Sequence, residues 1–161
     1  MSAYVALKLL HILSSTVLFG TGLGIAFFMW FTHRIGNVQA IATAARLTVR
    51  ADLLFTTPAM IVQPISGFFL MRLAGFDLHA AWLQAGAVLY LIVGACWLPV
   101  VWLQWRAQQL AQQAADLGTP LPGPYYRCMR VWFVLGWPAF IGMLTIFWLM
   151  VDKPLLWSWK P

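Results

Sequence analysis

The chain has 161 residues, of which 62% are hydrophobic and 9% charged, with a net charge of +6. Soluble domains average about 45–50% apolar and about 25% charged residues, and so few charges could not cover a water-soluble protein of this size. The ten lysines and arginines are scattered around segment ends and form no stripe, which excludes a nucleic-acid surface and points to anionic lipid headgroups.

A helix crosses the ~30 Å hydrocarbon core of a bilayer with about 20 mostly apolar residues. Four segments meet that requirement, roughly 4–31, 51–71, 81–105 and 131–150. They predict an all-α fold: one integral membrane domain over residues 1–161, built as a four-transmembrane-helix antiparallel bundle. The first segment has no Asp, Glu, Lys or Arg between Leu9 and Phe31, yet it carries His11. Its apolar run far exceeds the ~7–15 residues of a secretory signal, so it reads as a retained span.

The following "THRIGNVQAIATAARLTVRAD" places Arg46 and Arg50 on one helical face and reads as an amphipathic lead-in, with Asp52 close enough to balance one arginine. In the second span, "LLFTTPAMIVQPISGFFLMR", Pro58 and Pro64 each remove a backbone donor and predict a bend or interruption. A membrane tolerates such breaks where neighbours satisfy the freed carbonyls. The short "LAGFDLHA" makes the second and third spans antiparallel neighbours. The third continues into a Gln/Ala-rich tail that extends past the bilayer, until "TPLPGPYY" breaks it. The fourth ends at "WLMVDKP", followed by a Trp-rich stub. Cys96 and Cys128 have neither CxxC spacing nor a metal-ligand neighbour and read as free thiols.

Arg34, Arg46, Arg50, Arg106, Arg127 and Arg130 fall at one end of the spans, and Lys8, Arg72, Lys153 and Lys160 at the other. That bias predicts that the first and third loops are cytoplasmic and both termini periplasmic, across a bacterial inner membrane. Of ten tryptophans, Trp30, Trp82, Trp102, Trp105, Trp132, Trp148, Trp157 and Trp159 lie near boundaries, as interfacial rings do. Trp97 and Trp137 lie deeper, as cavity lining or as filler.

Counting from the span ends puts His11 ~10 Å below the outer surface, and Gln63, Tyr90 and Met143 at about the same level. Neutral imidazole is a strong ligand for haem iron, Met is a softer second ligand, and Gln63 and Tyr90 suit a propionate or a quinone oxygen. An intramembrane imidazole is equally well satisfied by a carbonyl or by Gln63 with no cofactor, so the residues alone leave both readings open. Gly20 and Gly24, in "GTGLG", have the spacing that lets two helices, or a flat macrocycle, approach closely, and Gly67 suits the same role. His33 is twenty-two residues, or ~33 Å of helix, from His11; it cannot share an iron with it and reads as a solvated boundary residue. His79, in the outer turn, is the alternative to Met143 as a second ligand. Arg46 and Arg50 read as lipid anchors or as clamps for a propionate or acidic substrate, and Asp52 as a group able to move a proton. No zinc spacing, phosphate-gripping loop or Ser–His–Asp order is present.

Three stretches, "ALKLLHILSSTVLFGTGLG", "RADLLFTTPAMIVQPISG" and "GWPAFIGMLTIFWLMVDKP", resemble the DUF2269 family of predicted integral membrane proteins, over nearly the whole chain. More distantly, the "K-x-x-H-I" opening at Lys8, His11 and Ile12 resembles HemJ-type membrane proteins, and the chain as a whole resembles CopD-like membrane domains. The HemJ-type resemblance implies that His11 binds haem b and, more remotely, an oxidation of protoporphyrinogen. A copper role finds no outward methionine cluster and no paired cysteines. The resulting expectation is a haem b protein of electron transfer with His11 as metal ligand, fed by quinol or another membrane redox partner. It would act as a homodimer or within a larger membrane redox complex. The rival expectations are a tetrapyrrole oxidoreductase of the HemJ type, a cofactor-free accessory subunit and a small transporter.

Overall fold

The computed structural model describes residues 2–154 and 156; Trp157, Trp159 and Lys160 lie outside the described residues. Helix α1 spans Ala3–Ile35, α2 Val38–Ala51, α3 Thr57–Ala74, α4 Ala81–Leu117 and α5 Gly123–Asp152. A π-turn at Asp52–Thr56 joins α2 to α3 without a break. The starts are capped where the sequence offers short polar side chains. Ser2 accepts from the Val5 N–H at 3.4 Å, and Asn37 from the Ala40 N–H at 3.0 Å. Helices α1, α3 and α4 stop at Gly36, Gly75 and Gly118, whose positive φ angles of 78°, 68° and 62° cost glycine least.

The described residues contain four apolar rods of 33, 37, 37 and 30 residues, and the protein is a multi-pass integral membrane protein. At 1.5 Å per residue these rods are ~45–55 Å long, well beyond the hydrocarbon thickness. The expected spans are therefore the middles of longer helices. The amphipathic lead-in is α2 itself, continuous with the second span, and the Gln/Ala-rich tail stays helical to Leu117. The π-turn has a local cause. Pro58 has no N–H to give the Leu54 carbonyl, and just ahead of it the helix widens so that the Thr57 N–H bonds Asp52 O, five residues back.

The rods run up-down-up-down. Helix α3 packs on α1, α5 packs on α4, and α2 packs on both α4 and α1. At the α4–α5 crossing, a Cβ on Gly86 would lie 2.9 Å from the Met150 methyl, and one on Gly142 would lie 2.7 Å from Val93 Cγ2. Helices α1 and α5 meet through rings: Phe19 against Phe140 and Phe147 at 5.6 and 5.4 Å, and Trp30 stacked on Phe133 at 4.2 Å. The glycines expected to make a close seam are not the ones that do so. A Cβ on Gly20 or Gly24 would meet nothing within 4 Å, because no neighbouring helix comes close to α1 at either position.

The best-packed core sits at the end away from the termini. There Ile25, Met29, Ile41, Ala45, Ala111 and Tyr125 are buried together. Alanines on α2 and α4 let those helices approach closely, and Gln39 ties them by donating to the Ala115 carbonyl at 2.9 Å. Arg34, Arg46, Arg50, Arg106, Arg127 and Arg130 are exposed around that end. Along the middle, residues such as Phe28, Leu53, Leu91, Leu98 and Val134 point outward, a belt that lipid covers.

Gly142→Leu should force α4 and α5 apart and cost about 1–3 kcal/mol, read as earlier thermal unfolding in detergent. Gly22→Leu, at a position with open space around it, should leave the transition where it is.

Candidate intramembrane site at His11

Helices α1 and α3 bury polar side chains against each other, which lipid tolerates only where they bond to one another. Ser14, Gln63 and Ser66 are all buried at this seam, and His11 is half-buried. Gln63 Nε2 donates to the His11 carbonyl at 2.8 Å and to Ser14 Oγ at 2.6 Å. The Ser14 hydroxyl in turn lies 3.1 Å from the same His11 carbonyl.

The imidazole is held separately. Ser66 Oγ lies 2.7 Å from the Val62 carbonyl and 2.8 Å from His11 Nδ1. A serine has one proton to give, and in a helix it goes back to the carbonyl four residues earlier. With that proton on Val62 O, Ser66 Oγ accepts from Nδ1–H, which leaves the lone pair on Nε2. Nε2 has no hydrogen-bond partner among the described residues. Gly67 makes the room: a Cβ there would sit 3.2 Å from His11 Cε1. An imidazole with one nitrogen anchored and the other bare is the arrangement of a metal-ligating histidine. Among the described residues no three His, Cys, Asp or Glu gather as a metal-ion site. A lone imidazole could hold the metal of a macrocycle that brings its own donors, and does not suit a zinc site, which takes three or four protein ligands.

The structure joins His11 with Gln63 but does not form the expected layer. The Tyr90 hydroxyl donates to the Met60 carbonyl, six residues or ~9 Å along α3 from Ser66. That carbonyl would ordinarily receive the N–H of residue 64, which is proline, so Tyr90 fills a vacancy that Pro64 creates. Met143 is half-buried on α5 between Phe140 and Phe147, both of which contact Phe19, eight residues or ~12 Å along α1 from His11. Counting inward from apolar edges misplaces both residues because it takes the outer ends of the helices to lie at one level, whereas the packing staggers them.

His79 is exposed in the α3–α4 turn, its backbone N–H held by Asp77 Oδ1 at 2.9 Å. Arg46 and Arg50 are exposed on α2, and Arg50 is sixteen residues or ~24 Å along its rod from Ser66, too far to clamp a group at His11. Asp52, expected beside an arginine, is buried with only 5% of its surface exposed. His33 is not a solvated boundary residue. Its ring packs 5.6 Å from Tyr125 and 5.8 Å from Tyr126, with Nδ1 enclosed. Composition and depth counting single out neither Ser14 nor Ser66. Their signal is the spacing His11-x-x-Ser14 and Gln63-x-x-Ser66, which puts each serine one turn along the same helical face as its polar neighbour.

Tyr90→Phe should cost about 1–3 kcal/mol by orphaning the Met60 carbonyl. Pro64→Ala combined with Tyr90→Phe should recover most of that loss, since residue 64 then supplies its own N–H; the four proteins of this cycle are compared by thermal unfolding in detergent.

No curated protein and no solved structure matches the chain. A family model described as "Predicted integral membrane protein (DUF2269)" matches residues 5–154. With all but the ends of its length inside that match, the chain belongs to the DUF2269 family.

Proposed function

We propose that this membrane protein binds haem b through Nε2 of His11 and serves in electron transfer, with a quinol as electron donor. One observation carries the reading: Ser66 holds Nδ1, the ring fits over Gly67, and Nε2 is left as a free base. When bound, haem supplies a one-electron ferric/ferrous couple. The chain's own residues then have separate tasks. Ser66 fixes the ring's tautomer and direction, and Gln63 with Ser14 holds the backbone of that turn. Lys8, exposed one turn outward on the same helical face, replaces Arg46 and Arg50 as the cation for a propionate. Neither Met143 nor His79 stands at this level, so His11 would be the one residue of the seam to hold the haem iron. A second copy, or a larger membrane redox complex, is the assembly that best completes such a site. The arginine-rich end lies in the cytoplasm of a bacterial inner membrane by the positive-inside rule, with both termini periplasmic.

A second reading has its own support. The Gln63–His11–Ser14 bonds form a complete clamp between α1 and α3 and would hold the helices together with no cofactor.

Protein purified in detergent from haem-replete cells should show a Soret band and, on reduction, α and β bands. His11→Ala should lose all three while remaining in the membrane. Ser66→Ala should weaken haem retention about 10–100-fold, as loss of a ligand's outer partner does. A colourless native protein, or full bands in His11→Ala, refutes the haem reading and leaves the clamp.

A further inference from the structure

The π-turn carries a second buried polar cluster of the membrane region. Asp52, Thr56 and Gln104 are 5%, 4% and 3% exposed. The Thr56 and Gln104 side chains face the Asp52 carboxylate. Even so, Asp52 Oδ2, Thr56 Oγ1 and Gln104 Oε1 are enclosed with no hydrogen-bond partner among the described residues, and so is Trp97 Nε1. Asp52, Gln104 and Trp97 all line one groove of about 390 Å³ between the π-turn and α4. Its walls are apolar, and Leu53, Leu98 and Trp102 at its margin are exposed to lipid.

Buried polar atoms without partners are rare and costly, and a group of them around one cavity describes the ligand that would satisfy them. Of those on residues that line the groove, Asp52 Oδ2 and Gln104 Oε1 are oxygens that can accept, and the Trp97 indole N–H can only donate. An ammonium would leave the indole unmet, and an anion would face the carboxylate. A hydroxyl satisfies both kinds of group. Gln104, which faces the Asp52 carboxylate, and Trp97 are seven residues apart on α4, which puts the Asp52–Gln104 end and the indole on one face two turns, or ~10 Å, apart. A ring about 5.5 Å across its two para oxygens, with a hydrogen bond of about 2.8 Å at each end, spans about 11 Å. The apolar walls suit the ring, and the opening to lipid suits a hydrocarbon tail.

We propose that this groove binds the head of a lipid-soluble para-quinol, with one hydroxyl donating to Asp52 and the other accepting from Trp97 Nε1–H. The proposal gives a place to the quinol in the reading above, and its only dependence on that reading is the choice of electron donor. The groove's chemistry needs no iron.

The test is calorimetric titration of the protein in lipid nanodiscs with a one-isoprene ubiquinol and with the matching quinone, against empty nanodiscs. Ubiquinol should bind above the lipid blank. Asp52→Asn should weaken the quinol at least about ten-fold, and the quinone, which has no O–H to donate, much less. Trp97→Phe should weaken both forms. His11→Ala should change neither, so failure of the haem reading and failure of this one are read separately. Binding no greater than to empty discs, or unchanged affinity in both groove variants, overturns the proposal. So does displacement of the quinol by octylammonium at lower concentration than by quinone, which would make the groove a cation site. If the variants misfold, a photoreactive azidoquinone on the native protein decides. Label on residues 97–105 that unlabelled quinol suppresses supports the groove, and label elsewhere overturns it.

Discussion

A polar group that this chain carries into lipid has to be met either by a partner inside the chain or by a bound ligand. Water is absent from the hydrocarbon core, so an unmet carbonyl or hydroxyl there costs free energy that a surface group would not lose. The prolines show the constraint at work. Pro64 deprives the Met60 carbonyl of its helical donor, and the Tyr90 hydroxyl arrives from α4 to replace it. Just ahead of Pro58 the backbone widens into a π-turn in which the Thr57 N–H reaches back to the Asp52 carbonyl. In one case the neighbouring helix supplies the donor; in the other the backbone itself rearranges. Both solutions fix how α3 lies against its neighbours, so the prolines position the structure as well as interrupting it.

The same constraint explains what is legible in the sequence. Span number, helical class and membrane residence follow from segment length and charge poverty, which need no knowledge of neighbours. Depth does not follow. Apolar edges put Tyr90 and Met143 at the level of His11, but the helices are staggered along one another, and contacts such as Phe19 with Phe140 set the register. Facing is also hidden. Gly20 and Gly24 have the spacing of a close seam, yet Gly86 and Gly142 form one, because a glycine's use depends on what stands opposite. By position alone Asp52 is a counter-ion for an arginine two or six residues earlier, but the π-turn buries its carboxylate toward Gln104. A one-residue widening changes which face a side chain presents, and no composition rule registers it.

The two ends of the bundle are built for different tasks. At the arginine-rich end, alanines on α2 and α4 allow close backbone approach, and Tyr125, Met129 and Ile41 fill the space between helices. Toward the termini, contact between the helix pairs rests on long side chains, such as Phe19 on Phe147 and Lys153 over the Phe76 ring at 4.8 Å. Packing of the first kind resists rearrangement, because small residues leave no rotamers to exchange. Packing of the second kind can adjust by side-chain rotation while the backbones stay in place. The His11 seam and the Asp52 groove both lie between the rigid end and the outer surface.

The seam and the groove differ in what each leaves unmet, and that difference separates their chemistry. Around His11 nearly every polar atom has a partner within the chain, and what remains is one lone pair on a ring that Ser66 has already aimed. A single directed lone pair is of little use to an organic ligand, which needs several contacts to be held, but it suffices for a metal centre whose other donors are its own. Around Asp52 the reverse holds. Several atoms of opposite hydrogen-bonding sense are unmet, spread over two turns of α4, beside an apolar groove open to lipid. No single ion answers all of them, whereas a rigid organic ring with an oxygen at each end does. The kind of group left unmet, one lone pair in the seam against a mixed set in the groove, is what favours a metal ligand on α1 and a lipid-soluble substrate at the π-turn.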